Sequence, residues 1–330
     1  MKRMIAGLTF GLTLGLMFGL SLGLSTATVA QSFPSRPLTM IVATVPGGST
    51  DFTARLLQEP LSKALGQPVI VENRGGASGN IGTELVARAK PDGHTLLLQF
   101  SGFHVGNPHL FKGLKWDPVK DFTPIAMALY APQVIAVGPS TKVTTLKELA
   151  DLIKASPGKV SYGSSGPGSI QHLAGEILEQ QVGGKMIHVP YKGSGPAVLD
   201  LMGGNIDIFI TTPPGVIQQV QAGKLRAIAY AARSRHPSMP NVPTAAEAGF
   251  PKYEVASWFG LLGPAGMPAD VVRRISDEVR RIVEGREFRE KADSQGAFAQ
   301  YQDPATFART IAQELAYWGT LIRNAGIATE

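Results

Sequence analysis

The sequence predicts an α/β protein of two domains, each a mixed, mostly parallel sheet flanked by helices. Its 330 residues exceed what one hydrophobic core usually holds. Apolar, β-branched runs of strand length alternate with stretches of helical spacing, the order that builds parallel sheets. Two extended runs, Ala131–Val137 and Tyr253–Leu262, stand where the chain would leave the first domain and return to it. The first domain is therefore expected to take residues 31–131 and 255–330, and the second residues 132–254.

The elements follow in order. Leu38 to Val45 reads as a buried strand, and Phe52, Leu56 and Leu57 continue it as a helix. Gly66-Gln67-Pro68 breaks that helix before the strand Val69-Ile70-Val71. A polar, glycine-rich loop, Glu72 to Asn80, leads to a helix through Ile81, Leu85 and Val86, and Pro91-Asp92-Gly93 turns the chain into the strand Thr95–Gln99. After the outgoing passage come a helix Leu146–Ala155, a strand Val160–Tyr162 and a helix Ile170–Leu178. The strand Met186–Tyr191, the helix from Ser194 to Gly203-Gly204 and the strand Ile206–Ile210 complete that alternation. Val216–Gln221 is expected as a short helix, Leu225–Ala231 as a strand, and Thr244-Ala245-Ala246-Glu247 as a capping-box helix start. Two helices, Ala269–Glu284 and Pro304–Asn324, end the chain and are expected to pack on the first domain.

Residues 1–30 are set aside as an export signal. Lys2 and Arg3 precede an apolar run from Ile5 to Leu24, and Thr28-Val29-Ala30 supplies the small residues of a cleavage site before Gln31. Gly7, Gly11, Gly15, Gly19 and Gly23 repeat at the spacing of helix-dimer faces, the mark of an uncleaved anchor; the small-residue site favours removal. The mature chain is thus expected to be exported and soluble. There is no cysteine, which excludes a disulfide framework, a lipidated N-terminal cysteine and thiolate chemistry. Removal of Lys2 and Arg3 takes the formal charge from +6 to +4, and the basic residues are scattered rather than interleaved with aromatics, so no nucleic acid is expected.

Chemistry concentrates in two small-residue loops. Pro46 cannot extend a strand ladder, Gly47 and Gly48 keep the backbone open, and Ser49 or Thr50 can cap the helix whose first turn carries Asp51. The result is a group of free N–H donors at a helix start, which attracts anions. Gly163-Ser164-Ser165-Gly166-Pro167-Gly168-Ser169 repeats the design before the next domain's helix. Two such sockets across one cleft suit a ligand with carboxylates at both ends. Ser101, at the carboxyl end of a strand, and Thr211, closing another, join the candidates, and Trp258 on the return run is a candidate apolar wall.

Catalytic patterns fail. Ser165 has Gly163 before it but Pro167 where a nucleophile elbow needs glycine, and the Gly-Lys pairs at 158, 184 and 223 lack the rest of a Walker loop. His104 and His109 are poorly spaced for a metal, so no metal or cofactor is expected. A secreted serine hydrolase using Ser165 with His172 is the runner-up, and a ligand-loaded partner of a membrane sensor the third reading. Asp51 and Asp207 are read as structural acids.

The motifs Pro46-Gly47-Gly48-Ser49-Thr50-Asp51, Val71-Glu72-Asn73-Arg74 with Gly79-Asn80-Ile81-Gly82, Pro91-Asp92-Gly93-His94-Thr95-Leu96, Tyr162-Gly163-Ser164 with Gly168-Ser169, Tyr191-Lys192-Gly193 and Trp258-Phe259-Gly260 run in order along the whole mature chain. They resemble the Bug (Bordetella uptake gene) or TctC family, the periplasmic solute-binding components of tripartite tricarboxylate transporters. The resemblance implies a type II periplasmic-binding-protein fold with two crossover strands, here expected as a monomer, that closes on a small carboxylate and delivers it to membrane permease subunits. It carries carboxylate binding onto Thr44, Val45, Gly47, Gly48 and Ser49, and onto the loop with Ser164, Ser165, Gly168 and Ser169. Where the family usually has an aromatic, this chain has Thr44, and Gly75 stands where proline is common. The exchange at Thr44 is expected to favour a bulkier or aromatic dicarboxylate, such as a phthalate, over aspartate or glutamate.

Overall fold

Leu38–Val42 (β1), Val69–Asn73 (β2) and Thr95–Phe100 (β3) pair in parallel, with β1 central, because each is an apolar run reached through a helix. The computed structural model describes residues 33–325, so the expected export signal lies outside the described residues. Helix α1 (Ser49–Leu65) follows β1 and α2 (Asn80–Ala87) follows β2. The first sheet runs β11-β4-β10-β3-β1-β2, where β4 is Phe122–Pro132, β10 Ala256–Pro264 and β11 Phe298–Gln302. Strand β10 lies antiparallel between β3 and β4.

The second sheet runs β7-β6-β8-β5-β9, with β5 at Val134–Val137, β6 at Ser161–Ser164, β7 at Ile187–Pro190, β8 at Ile208–Thr211 and β9 at Arg226–Tyr230. Strand β6 pairs in parallel with β7 and β8, and β5 runs antiparallel to β8 and β9. Each sheet thus contains one antiparallel strand that enters directly from the other lobe: β5 from β4, and β10 after β9. This is the two-domain α/β fold with two crossover passages that the sequence predicts.

The passages meet at Gln133. Its N–H donates to Val255 O at 2.8 Å, and Ala231 N–H donates to Gln133 O at 2.8 Å. Alternation along β5 sends Val134 and Ala136 into a core cluster of the second lobe, and Ile135 and Val137 into the larger cluster that also holds the first sheet.

Helices α4 (Leu146–Ala155) and α8 (Ala269–Glu284) have the bounds that their apolar spacing predicts. Four features differ. The run Ala131–Val137 is two strands, broken at Gln133 where the chain changes sheets. The spacing predicts no element over residues 102–130, which hold β4 up to its last two residues, a one-turn π-helix at Gly102–Gly106 and α3 (Asn107–Leu110). Helix α9 (Arg286–Ser294) and β11 likewise were not anticipated. Thr244 and Glu247 exchange both capping-box bonds, at 2.7 and 3.1 Å, yet close only a turn. Pro243 before it and Gly249 after it, at φ 94°, leave no length for a helix.

The remaining helices are α5 (Ile170–Val182), α6 (Ser194–Gly203), α7 (Ile217–Gln221) and α10 (Pro304–Ala325). Among the described residues no helix is long and apolar enough to cross a membrane.

Candidate functional site

The start of α1 is built by its own first turn. Gly48 is the N-cap, in extended geometry and without a side-chain cap bond, so the capping role expected of Ser49 or Thr50 falls to a bare backbone. The opening N–H groups of a helix have no intrahelical partner and carry the positive end of its dipole. Asp51, in that turn, faces away from the cleft into a polar web: it accepts from Gly47 N–H at 3.1 Å, Arg55 Nε at 3.0 Å and Asn73 Nδ2 at 3.1 Å. Asn73 Nδ2 also donates to Thr44 O at 3.1 Å. This web fixes the loop while its negative charge is spent on partners. Asp51→Ala takes one hydrogen bond each from Gly47 N–H, which water can reach, and Asn73 Nδ2, which keeps Thr44 O, and urea unfolding is expected to show a loss of about 1–2 kcal/mol. Since half-exposed Arg55 contributes little, Arg55→Ala is expected to lose under about 1 kcal/mol.

Opposite this turn stands the second lobe. Thr212 Oγ1 donates to Ser49 Oγ at 2.6 Å, a direct hydroxyl contact between lobes. A Cβ placed on Gly48 would lie 3.4 Å from Ser194 Oγ. Ser194 opens α6, and its Oγ lies 3.3 Å from Ser165 Oγ, which in turn accepts from Gln171 Nε2 at 3.0 Å. These residues enclose a cavity of about 10 Å³, lined by Thr44, Gly48, Ser49 and Thr50 from the first lobe and Ser165, Gln171, Ser194 and Thr212 from the second. That volume is about one water-sized sphere. Phe100, Ser257 and Phe259 complete the wall. The rings of Phe100 and Phe259 lie stacked, 6.3 Å apart.

No Asp, Glu, Lys or Arg stands in this lining. What the cavity offers instead is helix-start backbone and neutral polar groups, some of them unmet. Thr44 Oγ1 and Gln171 Oε1 are buried without a hydrogen-bond partner, and so are Ser101 Oγ, Thr211 Oγ1 and Gln133 Oε1 close behind the wall. Unmet buried polar atoms are uncommon, and a cluster of them beside one cavity calls for a polar guest.

Of the residues singled out in the sequence, Thr44, Gly48, Ser49 and Ser165 come together around this cavity. The others are placed elsewhere. Gly47 is exposed and bonded to Asp51, and Val45 packs where Gly75 and Gly193 make room for it. Ser101 is buried at the start of the π-helix turn. Ser164 Oγ accepts from Gly166 N–H and lies 2.6 Å from His188 Nε2. Ser169 caps α5 through His172 N–H, and Gly168 lies against Asn107. Thr211 points toward Gly215, leaving Thr212 to face Ser49. Trp258 is 1% exposed, meets Phe307 edge-on and donates from Nε1 to Glu314 Oε2 at 2.9 Å. Alternation along β10 turns it into the core and turns Ser257 and Phe259 to the cavity.

The second socket therefore joins Ser165 and the start of α6 to Gln171 in the first turn of α5, without the α5 cap Ser169. Ser194 and Thr212 carry a sequence signal, the Ser-Gly-Pro helix start and the paired threonines at the end of β8. Period-two reading around Trp258 points to Ser257 and Phe259, whereas nothing local marks Gln171. Ser165 Oγ meets Ser194 and Gln171, while His172 stacks on His188 at 4.1 Å and accepts from Gly168 N–H, so the Ser165–His172 pair of the hydrolase reading is not assembled. Asp51 and Asp207 belong to separate webs; Asp207 accepts from the backbone and hydroxyl of Ser161.

Two α/β lobes joined by two passages, with a neutral, donor-rich cavity between them, define a cleft-type solute-binding protein. The sequence profile of the "Tripartite tricarboxylate transporter family receptor", TctC, matches residues 53–327, and the chain belongs to that family. It is 34% identical to the periplasmic binding protein BugD, with a TM-score of 0.86 over 90% of this chain and 100% of that one. It is also 34% identical to Rpa4515 of R. palustris, solved with adipate, with a TM-score of 0.88 over 90% and 100% of the two chains. MatC of Rhodopseudomonas palustris, solved with bound malate, is 32% identical, with a TM-score of 0.84 over 88% and 100%. Family members are periplasmic binding proteins, and the family is one of solute binding rather than catalysis.

Proposed function

We propose that this chain captures a small dicarboxylate between its lobes in the periplasm and delivers it to the membrane subunits of a tripartite tricarboxylate transporter. The observation that carries the reading is the cavity itself: helix starts and neutral polar groups from both lobes, the unmet Thr44 hydroxyl among them, with no charged side chain in the lining. A helix N-terminus favours an anion by about 0.3–1 kcal/mol, and each hydrogen bond to a charged group adds roughly 1.5–3 kcal/mol. Four to six donors thus support about −8 kcal/mol, micromolar binding, once association costs are met. The dicarboxylates held by Rpa4515 and MatC are in keeping with that donor set.

A cavity of about 10 Å³ cannot admit such an acid with the lobes as they stand. Entry requires the lobes to part, and the passages at Gln133 and between Tyr230 and Ala256 are the places for that motion. The same passages support domains of residues 31–131 with 255–330 and of residues 132–254. The protein works as a monomer, without enzymatic turnover, after removal of residues 1–30. Donors to the carboxylates are taken from the Thr44–Ser49 loop and from Ser165, with Ser194 and Thr212 added. With threonine at position 44 in place of an aromatic, aromatic diacids are accommodated beside Phe100 and Phe259.

Purified protein is tested by thermal shift and calorimetry against succinate, adipate, malate, phthalate, aspartate and glutamate. At a hundredfold excess over the dissociation constant, stabilisation of about 2.7 kcal/mol is expected. If no dicarboxylate raises the melting temperature, the reading fails. Tight binding of the aliphatic acids with none of phthalate removes the aromatic preference alone. Turnover of an ester panel that is lost in Ser165→Ala would restore the hydrolase.

A further inference from the structure

We infer that Gln171 is a specificity-determining residue of this cavity, reading a hydroxyl on the bound acid, so that 2-hydroxy dicarboxylates are held in preference to plain ones. The inference rests on the reading of the cavity as a dicarboxylate site and names the class of acid within it. Gln171 stands in the first turn of α5, is 6% exposed and lines the cavity. Its Nε2 is committed to Ser165 Oγ at 3.0 Å, and Ser165 Oγ is within 3.3 Å of Ser194 Oγ. Ser165 Oγ accepts from that amide, and either hydroxyl of the Ser165–Ser194 pair can be the donor between them. Whichever way that pair is oriented, the donor of the Gln171 amide is engaged and its acceptor, Oε1, is left over. That Oε1 is buried and has no partner.

The two ends make opposite demands. A carboxylate accepts from the start of α1, but an ionised carboxylate has no proton to give Oε1 and is repelled by it. The guest must bring a donor at that point. An ammonium is a donor too, yet the lining has no carboxylate to balance a second buried charge. A hydroxyl supplies the proton without the charge. A buried acceptor left unmet by a ligand that lacks the matching group discriminates against that ligand more strongly than a change in apolar fit does.

The test is a matched set differing only at C2: succinate, malate and aspartate, with adipate, 2-hydroxyadipate and 2-aminoadipate as the longer set. Calorimetry on the wild-type protein is expected to rank the hydroxy acid about tenfold or more above the plain acid, with the amino acid weakest. In Gln171→Met, which keeps length and loses the amide, the hydroxy and plain acids should become equal within about threefold. Gln171→Asn, which withdraws the amide by one methylene, serves as the second variant, with melting temperatures recorded for both. Equal wild-type binding of hydroxy and plain acids, or an advantage that survives in both variants, overturns the role of Gln171 and leaves dicarboxylate capture standing. Wild-type protein that binds no acid in either set overturns both.

Discussion

Gly48→Leu is expected to abolish ligand-induced stabilisation and weaken dicarboxylate binding by a hundredfold or more, while the unliganded protein melts within a few degrees of wild type. The N-cap of α1 sits at φ −98° and ψ 176°, extended geometry open to any residue, so no backbone strain follows from the change. A Cβ there meets Ser194 Oγ at 3.4 Å, ordinary van der Waals contact, and alanine should therefore close and bind almost normally. Leucine adds three carbons beyond that Cβ, and their space is already held by Ser194 and by the cavity. The clash lies between lobes rather than inside either core, so it opposes closure and not folding. Two variants at one position thus separate volume from chemistry. Should Gly48→Leu bind as well as Gly48→Ala, the cavity between α1 and α6 is not where the acid sits.

Much of the fold was legible because local chemistry dictated it. Helix α8 shows apolar Val271, Val272, Ile275 and Val279 at helical spacing, and all four are buried. Strand β4 was not legible: in Phe122-Thr123-Pro124-Ile125-Ala126-Met127-Ala128-Leu129, Ile125 to Leu129 are buried on both faces, which erases alternation, and Pro124 argues against a central strand. Strand β11 is short and half polar, and it exists only because β4 offers it an edge. The cavity divides in the same way. Thr44, Gly48 and Ser49 share one turn, and their donor chemistry is a property of that turn. Gln171, Ser194, Thr212 and Phe259 sit on four elements distant in sequence, and only the crossing of the chain between sheets brings them to one point.

That crossing also explains the neutrality of the cavity. Buried between two lobes that must separate and rejoin, a fixed charge would have to shed its water at each closure, at a cost of several kcal/mol unless paired. Backbone donors held by α1 and hydroxyls held in short chains do not carry that burden. The formal charge at the start of α1, Asp51, is kept in a side web with Arg55 and Asn73, where its partners remain constant.

Stability is expected to rise with pH between about 4 and 6.5 and, against that rise, to suffer a smaller loss between about pH 4.5 and 7, with the two limbs belonging to different residues. Burial lowers His172 from its ordinary 6.5 to about 4, and burial with the stacked His172 ring lowers His188 to about 3. His104, buried against Trp116 and Phe122, is lowered by burial to about 4. Below pH 6.5 the unfolded chain binds protons that these rings refuse in the fold, so acid favours unfolding through that window. Glu314 has the opposite sign: burial raises it to about 7 from 4.5, and it accepts from Trp258 Nε1. Its contribution is complete below about pH 4.5, where both states are protonated, and is lost as pH climbs through 7, because only the unfolded carboxyl ionises freely. Glu314→Gln keeps an acceptor for Trp258 and has no proton to lose. Urea titrations of both proteins at pH 4, 6 and 8 should therefore coincide within about 1 kcal/mol at the lowest pH and separate by about 1–3 kcal/mol at the highest, with the variant more stable. Were wild type the more stable at pH 8, Glu314 would be held charged in the fold, and the descending limb would need another source.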